Sequence, residues 1–168
     1  MTVLYVSLPV IAVIFLTIMS SMKQVPPGAV FIVERMGSFY TVYTEGVHFK
    51  TPFLDRIVAK VNVTEQCLPL ESVTAVASDG TPIVFTAGIH FRIVDAAAFF
   101  YSTENSVSSL GRLTLTALRD IISSTDGETV LGSKAETENK VTRAIAPATE
   151  KWGLLVSEIK LTELSSNQ

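Results

Sequence analysis

The sequence predicts an α+β fold tethered to a membrane by its N-terminus. Residues 1–22, MTVLYVSLPVIAVIFLTIMSSM, carry no charged side chain. Residues 73–94 alternate apolar and mixed positions around an Asp-Gly turn, the pattern of a hairpin with one buried face. From Asp95 to Trp152 the apolar period lengthens to three or four residues, and Leu154–Leu161 returns to a strand pattern. Strands, then helices, then a strand is the order of an α+β domain rather than of alternating βαβ units.

The first 22 residues read as a membrane anchor. At about 1.5 Å rise per residue, the roughly 17–20 apolar positions reach about 26–30 Å, one hydrocarbon core. A cleaved signal would need a basic start and a small-x-small cleavage site, and Met1-Thr2-Val3 has no basic residue. Pro9 bends the helix near its start. Lys23 and Arg35 follow the stretch, which by the positive-inside bias places the rest of the chain on the cytoplasmic side.

Residues 23–28, KQVPPG, punctuate the chain, since two prolines forbid a continued helix. Residues 29–37 are apolar on both alternating sets, as in a strand covered on both faces that emerges at Glu34-Arg35. Gly37-Ser38 turns into a returning strand over Phe39–Tyr43. Val47–Asp55 is an apolar knot that Pro52 confines to an edge or loop. Ile57–Thr64 reads as a half-buried strand. Ile83, Phe85, Ala87, Ile89, Phe91 and Ile93 form one wholly apolar strand face, with Ser78-Asp79-Gly80 as the turn before it. Asp95 caps a short helical turn. The helix over 104–123 buries Val107, Leu110, Leu113, Ala117, Leu118 and Ile121. Ser133 and Glu136 fit a capping box for the next helix, whose stripe is Val141, Ala144, Ile145, Ala148 and Trp152. Pro147 kinks that helix and Gly153 ends it in the left-handed conformation. The tail, residues 165–168, is polar.

Composition and motifs exclude several function classes. The formal net charge is −3 with scattered cations, which leaves no footprint for nucleic acid. Cys67 is alone, so neither an intrachain disulfide nor a Cys-rich metal site can form, and it reads as a buried or half-buried thiol. No H-E-x-x-H, G-x-S-x-G or phosphate-loop motif occurs, and neither His48 nor His90 has a catalytic partner at a telling spacing. The reading is a non-enzyme with no cofactor, no metal and no small-molecule substrate.

The ordered segments GAVFIVERMGSF, EGVHFKTPFLDRI, SDGTPIVFTAGIHFRIVD, LTLTALRDIIS and EKWGLLVSEIKLTEL resemble the SPFH or Band 7 family of stomatins, prohibitins, flotillins and bacterial FtsH modulators, the stomatin-like branch above all. The resemblance spans about residues 25–164. It implies a mainly antiparallel, curved sheet covered by amphipathic helices behind an N-terminal transmembrane helix. It also implies lateral assembly on the bilayer with copies of itself or SPFH relatives, and control of membrane proteins, membrane proteases among them. The chain departs from the family pattern in three places. The family's long coiled coil is not among these 168 residues. Leu118-Arg119 is followed by Asp120, Ile121, Ile122 and Ser123, where many relatives place a glycine. Lys134 stands where an arginine is common, and Pro147 is unusual in that helix.

Two sets of residues are candidate contact sites. Phe49, Phe53 and Leu54, flanked by Lys50 and Arg56, suit the headgroup layer of a bilayer, or else the phenylalanines belong to the core. In the resemblance this region faces the membrane. Arg112, Arg119, Asp120, Glu136, Lys140 and Arg143, together with Glu138, fall on exposed helix faces, which in a ring-forming family would meet a neighbouring subunit. The expected function is a membrane-anchored scaffold. The alternative is a non-assembling regulatory or binding subunit docked on a larger membrane complex.

Overall fold

The computed structural model describes residues 21–102 and 105–166, with side chains described as far as Thr162. Apart from Ser21 and Met22, the stretch read as an anchor lies outside the described residues. Among the described residues no helix is long and apolar enough to cross a membrane. The chain divides into two compact units, one up to Val63 and one from Thr64 onward.

From Met22 on, the described residues of the first unit are built on strands and turns. Strands β1 (Met22–Val25) and β4 (Gly46–Phe49) form an antiparallel ribbon in which Met22 faces Phe49 and Val25 faces Gly46. The segment read as punctuation is therefore half strand, and only Pro26, Pro27 and Gly28 turn. Strand β2 (Ala29–Arg35) lies between β3 (Ser38–Tyr43) and β5 (Asp55–Asn62), both antiparallel to it. Phe31, Ile32 and Val33 are all buried, as a strand apolar on both faces requires. Register shifts at Val33/Glu34 against β3 and at Ile32/Val33 against β5 interrupt the ladders just before the charged end of β2, and pairing with both neighbours resumes through Arg35. Val25, Phe31, Val33 and Tyr43 make a small core, with Ala29 and Ile57 packed against it.

The second unit is built on β8 (Pro82–Ile93). Strand β9 (Leu154–Ser166) pairs along one whole edge, from Ile93↔Leu154 to Ile83↔Ser166. The other edge is shared by β7 (Val73–Val76), against Pro82–Phe85, and β6 (Gln66–Pro69), against Gly88–Phe91. Strand β6 escapes sequence reading because it offers only Cys67 and Leu68 as apolar residues, and Pro69 ends it. The strand β9 runs past the predicted Leu161 and takes in Ser165 and Ser166, since backbone pairing with β8 continues regardless of side-chain polarity.

Four helices follow β8: α1 (Ala96–Ser102), α2 (Ser106–Ser123), α3 (Gly127–Gly132) and α4 (Lys134–Lys151). Asp95 Oδ1 accepts from Ala98 N at 2.9 Å, the expected cap of α1. Asn105 plays that part for α2 through Ser108 N, at 3.1 Å. The predicted stripes are each rotated. On α2 the buried positions are Ser106, Leu110, Gly111, Thr114, Leu118 and Ile122, with Val107, Leu113, Ala117 and Ile121 half-buried beside them. On α4 the buried positions are Thr137, Val141, Ile145 and Thr149, while Ala144 is exposed and Ala148 and Trp152 are half-buried. The polar members are satisfied locally. Thr114 and Thr149 hydroxyls donate to the Leu110 and Ala146 carbonyls, so burying them leaves no orphaned donor.

The capping box at Ser133 does not form. Ser133 is shared between two helices: its N–H donates to Thr129 O, ending α3, while its carbonyl accepts from Glu136 N and Thr137 N. Its backbone conformation answers both demands, and its side chain makes no cap bond. Helix α4 runs unbroken through Pro147. The Asp79 turn docks on α3: Asp79 accepts from Thr81 N at 2.9 Å and from Gly127 N at 3.1 Å. Asp79 is thus a turn residue, as its Asp-Gly pair predicts, and also a staple across two elements.

Candidate functional site

Among the described residues, one end of the first unit carries the exposed apolar side chains Met36, Phe49, Phe53 and Leu54. The strand β2 ends at Arg35, paired with Asp55 at the start of β5. The loop that leads into β5 is closed on itself, because Asp55 N donates to Thr51 O at 3.0 Å and Thr51 N donates to Asp55 Oδ2 at 2.7 Å. Pro52 stiffens it and Phe53 stands at its apex. Phe53 is fully exposed (103 %) and has φ +69°. Across from it, in the tight turn between β2 and β3, Met36 is 84 % exposed with φ +53°. Met36 N donates to Leu54 O at 3.4 Å, so the two turns are neighbours.

A buried carboxylate holds this end together. Arg35 grips Asp55 with both faces of its fork, Nε to Oδ1 at 2.7 Å and Nη2 to Oδ2 at 3.2 Å. The guanidinium also lies 3.7 Å from the centre of the Tyr40 ring. The Asp55 side chain is almost wholly buried. The Arg35 hydrogen bond, helped by Thr51 N–H, holds the Asp55 carboxyl below the usual carboxylate range against the opposing pull of burial. Because the folded value is depressed, the stabilisation is complete above the unfolded value, near pH 4, and is lost as pH falls through the folded one. Asp55→Asn is expected to lower the melting temperature at pH 7 by roughly 5–10 °C. It should also flatten the acid side of the melting-temperature profile, followed by circular dichroism from neutral pH downward; an unchanged acid limb would refute this role.

The N-terminal ribbon joins the same end. Lys50 N donates to Ser21 O at 2.9 Å, and Met22 lies opposite Phe49. The residue at which the uncharged stretch enters the domain is therefore bonded to the residue just before the Phe53 loop. Tyr43 fastens the ribbon, its hydroxyl donating to Phe49 O at 3.2 Å while its ring stacks on His48 at 4.5 Å. The His48 Nε2–H in turn donates to Thr44 O at 2.8 Å.

Of the sequence-predicted lipid-contact residues, Phe49, Phe53, Leu54 and Arg56 are exposed and Lys50 is half-buried. The phenylalanines are not core residues, so that alternative is corrected. Sequence reading passed over Met36 and the Arg35–Asp55 clamp. A large apolar residue directly before a turn glycine was the available signal for Met36. The clamp needed the β2–β5 register, which a single sequence does not display.

The helix-face candidates Arg112, Arg119, Asp120, Glu136, Lys140 and Arg143 are all exposed, on α2 and α4. Lys140 and Glu136 pair with each other at 2.8 Å, which lowers the Glu136 carboxyl below its ordinary value. Glu138 does not belong to that solvated set. Its Oε1 accepts from Leu161 N at 2.8 Å, tying α4 to β9. Cys67 is exposed rather than buried, because β6 turns it to the outer face, opposite His90. His90 is half-buried there, with Glu158 as its neighbour on β9.

A family model described as the SPFH domain / Band 7 family matches residues 23–168. The chain is similar to a stomatin homolog of Pyrococcus horikoshii, 22% identical over 160 residues, covering 95% of this chain and 60% of that protein. It is similar to a stomatin-like protein of Caenorhabditis elegans, 22% identical over 140 residues, 83% of this chain and 43% of that protein. An uncharacterized protein of Schizosaccharomyces pombe is 27% identical over 132 residues, 79% of this chain and 37% of its own length. The chain thus spans between about two-fifths and three-fifths of these relatives.

Proposed function

We propose, for a chain that belongs to the SPFH domain / Band 7 family, the role of a membrane-anchored scaffold. The observation that carries this reading is the end of the first unit where Ser21, Phe49, Phe53 and Met36 come together beside Lys50 and Arg56. Apolar side chains with nothing behind them, next to cations and to the entry of an uncharged 22-residue stretch, suit the boundary between headgroups and acyl chains. In this reading residues 1–22 are the membrane anchor, residues 25–164 the SPFH domain and residues 165–168 its tail, with the domain on the cytoplasmic side. The relatives named as stomatins support the membrane association.

The second part of the proposal is lateral assembly. Anchoring confines copies to two dimensions and raises their effective concentration, so weak contacts suffice. The charged faces of α2 (Arg112, Arg119, Asp120) and α4 (Glu136, Lys140, Arg143) are the proposed contacts between copies or with SPFH relatives. Such an array would confine or regulate other membrane proteins, membrane proteases included. Extraction in mild detergent, followed by native sizing, is expected to give a multi-subunit species. A clean monomer at high concentration would refute assembly and favour the reading as a single regulatory subunit docked on a larger complex.

A further inference from the structure

Strand β9 is paired on one edge. β8 holds that side, and among the described residues no strand pairs with the other. Two hydrogen bonds identify the residues that face the open edge. Leu70 N donates to Ala87 O at 2.8 Å, so Ala87 turns its backbone groups away from β9, and its register partner Leu161 turns away from β8 in the same way. On that outer edge Glu138 Oε1 accepts from Leu161 N at 2.8 Å. Ile159, two residues earlier with no register shift between, presents its N–H and C=O to the same side. An edge of this kind is a template for another strand, and a charged side chain is one way of blocking it. Glu138 blocks it at Leu161. Among the described residues no hydrogen bond covers it at Ile159. There the edge opens into a cavity of about 120 Å³ between β9 and α4.

We propose that this edge and cavity bind an extended peptide segment carrying one arginine or lysine. The peptide's backbone pairs with Ile159, and its basic side chain enters the cavity. Main-chain bonds to a strand edge supply affinity in such a site, and a side-chain pocket supplies selectivity. A residue paired with Ile159 sends its side chain to the face on which Ile159 itself is buried, the face that α4 covers. The cavity holds the volume of about four water molecules, enough for the head of one long side chain. Charge complementarity selects the basic one. The lining includes the carboxylates of Glu138 and Glu158 and no cation. Glu158 is paired with Lys160 at 2.9 Å, whereas among the described residues Glu138 has no ion-pair partner and is half-buried. Beside Glu138 stand the Asn139 amide and the Thr142 hydroxyl. Thr142 donates its proton to Glu138 O at 2.8 Å, which leaves its oxygen to accept from a guanidinium or ammonium. Glu138 also sets the length of the site: its carboxylate occupies the position at Leu161 where the carbonyl of a longer added strand would lie. The proposal depends on neither the membrane reading nor lateral assembly.

The test titrates the full chain, in mild detergent, into a fluorescently labelled, end-blocked pentapeptide Thr-Val-Arg-Val-Thr and follows polarisation. Replacing the central arginine by norleucine, or methylating its backbone nitrogen, should each weaken binding at least about tenfold, the first by removing the charge and the second by removing the strand donor. In the protein, Glu138→Gln keeps an acceptor for Leu161 N–H but loses the charge. It should weaken the arginine peptide about tenfold and leave the norleucine peptide unchanged. Hydrogen exchange of the wild-type chain, read by mass spectrometry, should slow at the β9 segment containing Ile159 when saturating arginine peptide is added, and this readout stands even if the variant folds poorly. Absence of binding at millimolar peptide overturns the proposal. So does binding that ignores the N-methyl group, the arginine or the Glu138 charge, or that leaves exchange at Ile159 unaltered. Slowing at Ile159 on raising the protein concentration without peptide assigns the edge to a second copy of the chain and overturns the peptide as its occupant.

Discussion

Gly153→Ala is expected to cost the second unit about 3–5 kcal/mol, the upper end of single-residue effects. Gly153 adopts φ +69° at the end of α4, and a Cβ there would collide with the carbonyl oxygen of Asp95 and press on its Cβ. Asp95 cannot retreat freely. Its own N–H and that of Val94 both donate to Gly153 O, at 3.2 and 2.9 Å, and its carboxylate caps α1. The left-handed conformation alone accounts for about 1–2 kcal/mol of the loss, and the collision supplies the rest. Urea denaturation separates the two contributions. Asparagine tolerates the left-handed region, so Gly153→Asn would recover most of the stability if conformation dominated. The collision argument requires Gly153→Asn to be nearly as damaging as Gly153→Ala, and a substantial recovery would refute it.

Phe85→Ala is expected to cost a similar amount, about 3–5 kcal/mol, by a different route. Phe85 is wholly buried on the inward face of β8, between Ile83 and Ala87, and its backbone is paired on both sides, with Val73 and with Leu164. Strands locked on both edges cannot collapse into the space a ring leaves behind, so the cavity persists. Val84→Ala, on the half-buried opposite face, is the internal control and should cost less than about 1 kcal/mol. Equal losses at the two positions, measured by chemical denaturation, would show that the two faces are not distinguished as described. Against a domain stability of order 5–15 kcal/mol, either core substitution removes a large fraction of the whole.

The features legible in the sequence were those written by local chemistry. The inward face of β8, the Asp79-Gly80 turn, the Asp95 cap and the Gly153 helix end each depend on residues within a few positions of one another. The illegible ones needed a distant partner. Strand β1 exists because Gly46–Phe49 offers it a partner, and β6 exists because the edge of β8 does. Ser133 looks like a cap on its own, and loses that role only because a short helix ends on the same residue. The helix stripes rotated by one position because small threonines, once bonded to their own helix, are buried as readily as the apolar residues beside them. At the candidate site, the aromatic and cationic cluster could be read directly, whereas the clamp joins Arg35 to a carboxylate twenty residues later and appears only once β2 and β5 are in register.

The dependence of β8 on β9 sets an order of events during synthesis. Pro82–Ile93 is translated well before Leu154–Ser166. Until then β8 has partners on one edge only, and a twelve-residue strand with a fully apolar face waits with its other edge open. Such an edge is a template for mispairing with the same strand of a nearby chain. That hazard rises with the crowding of nascent chains, and the pairing of β9 removes it.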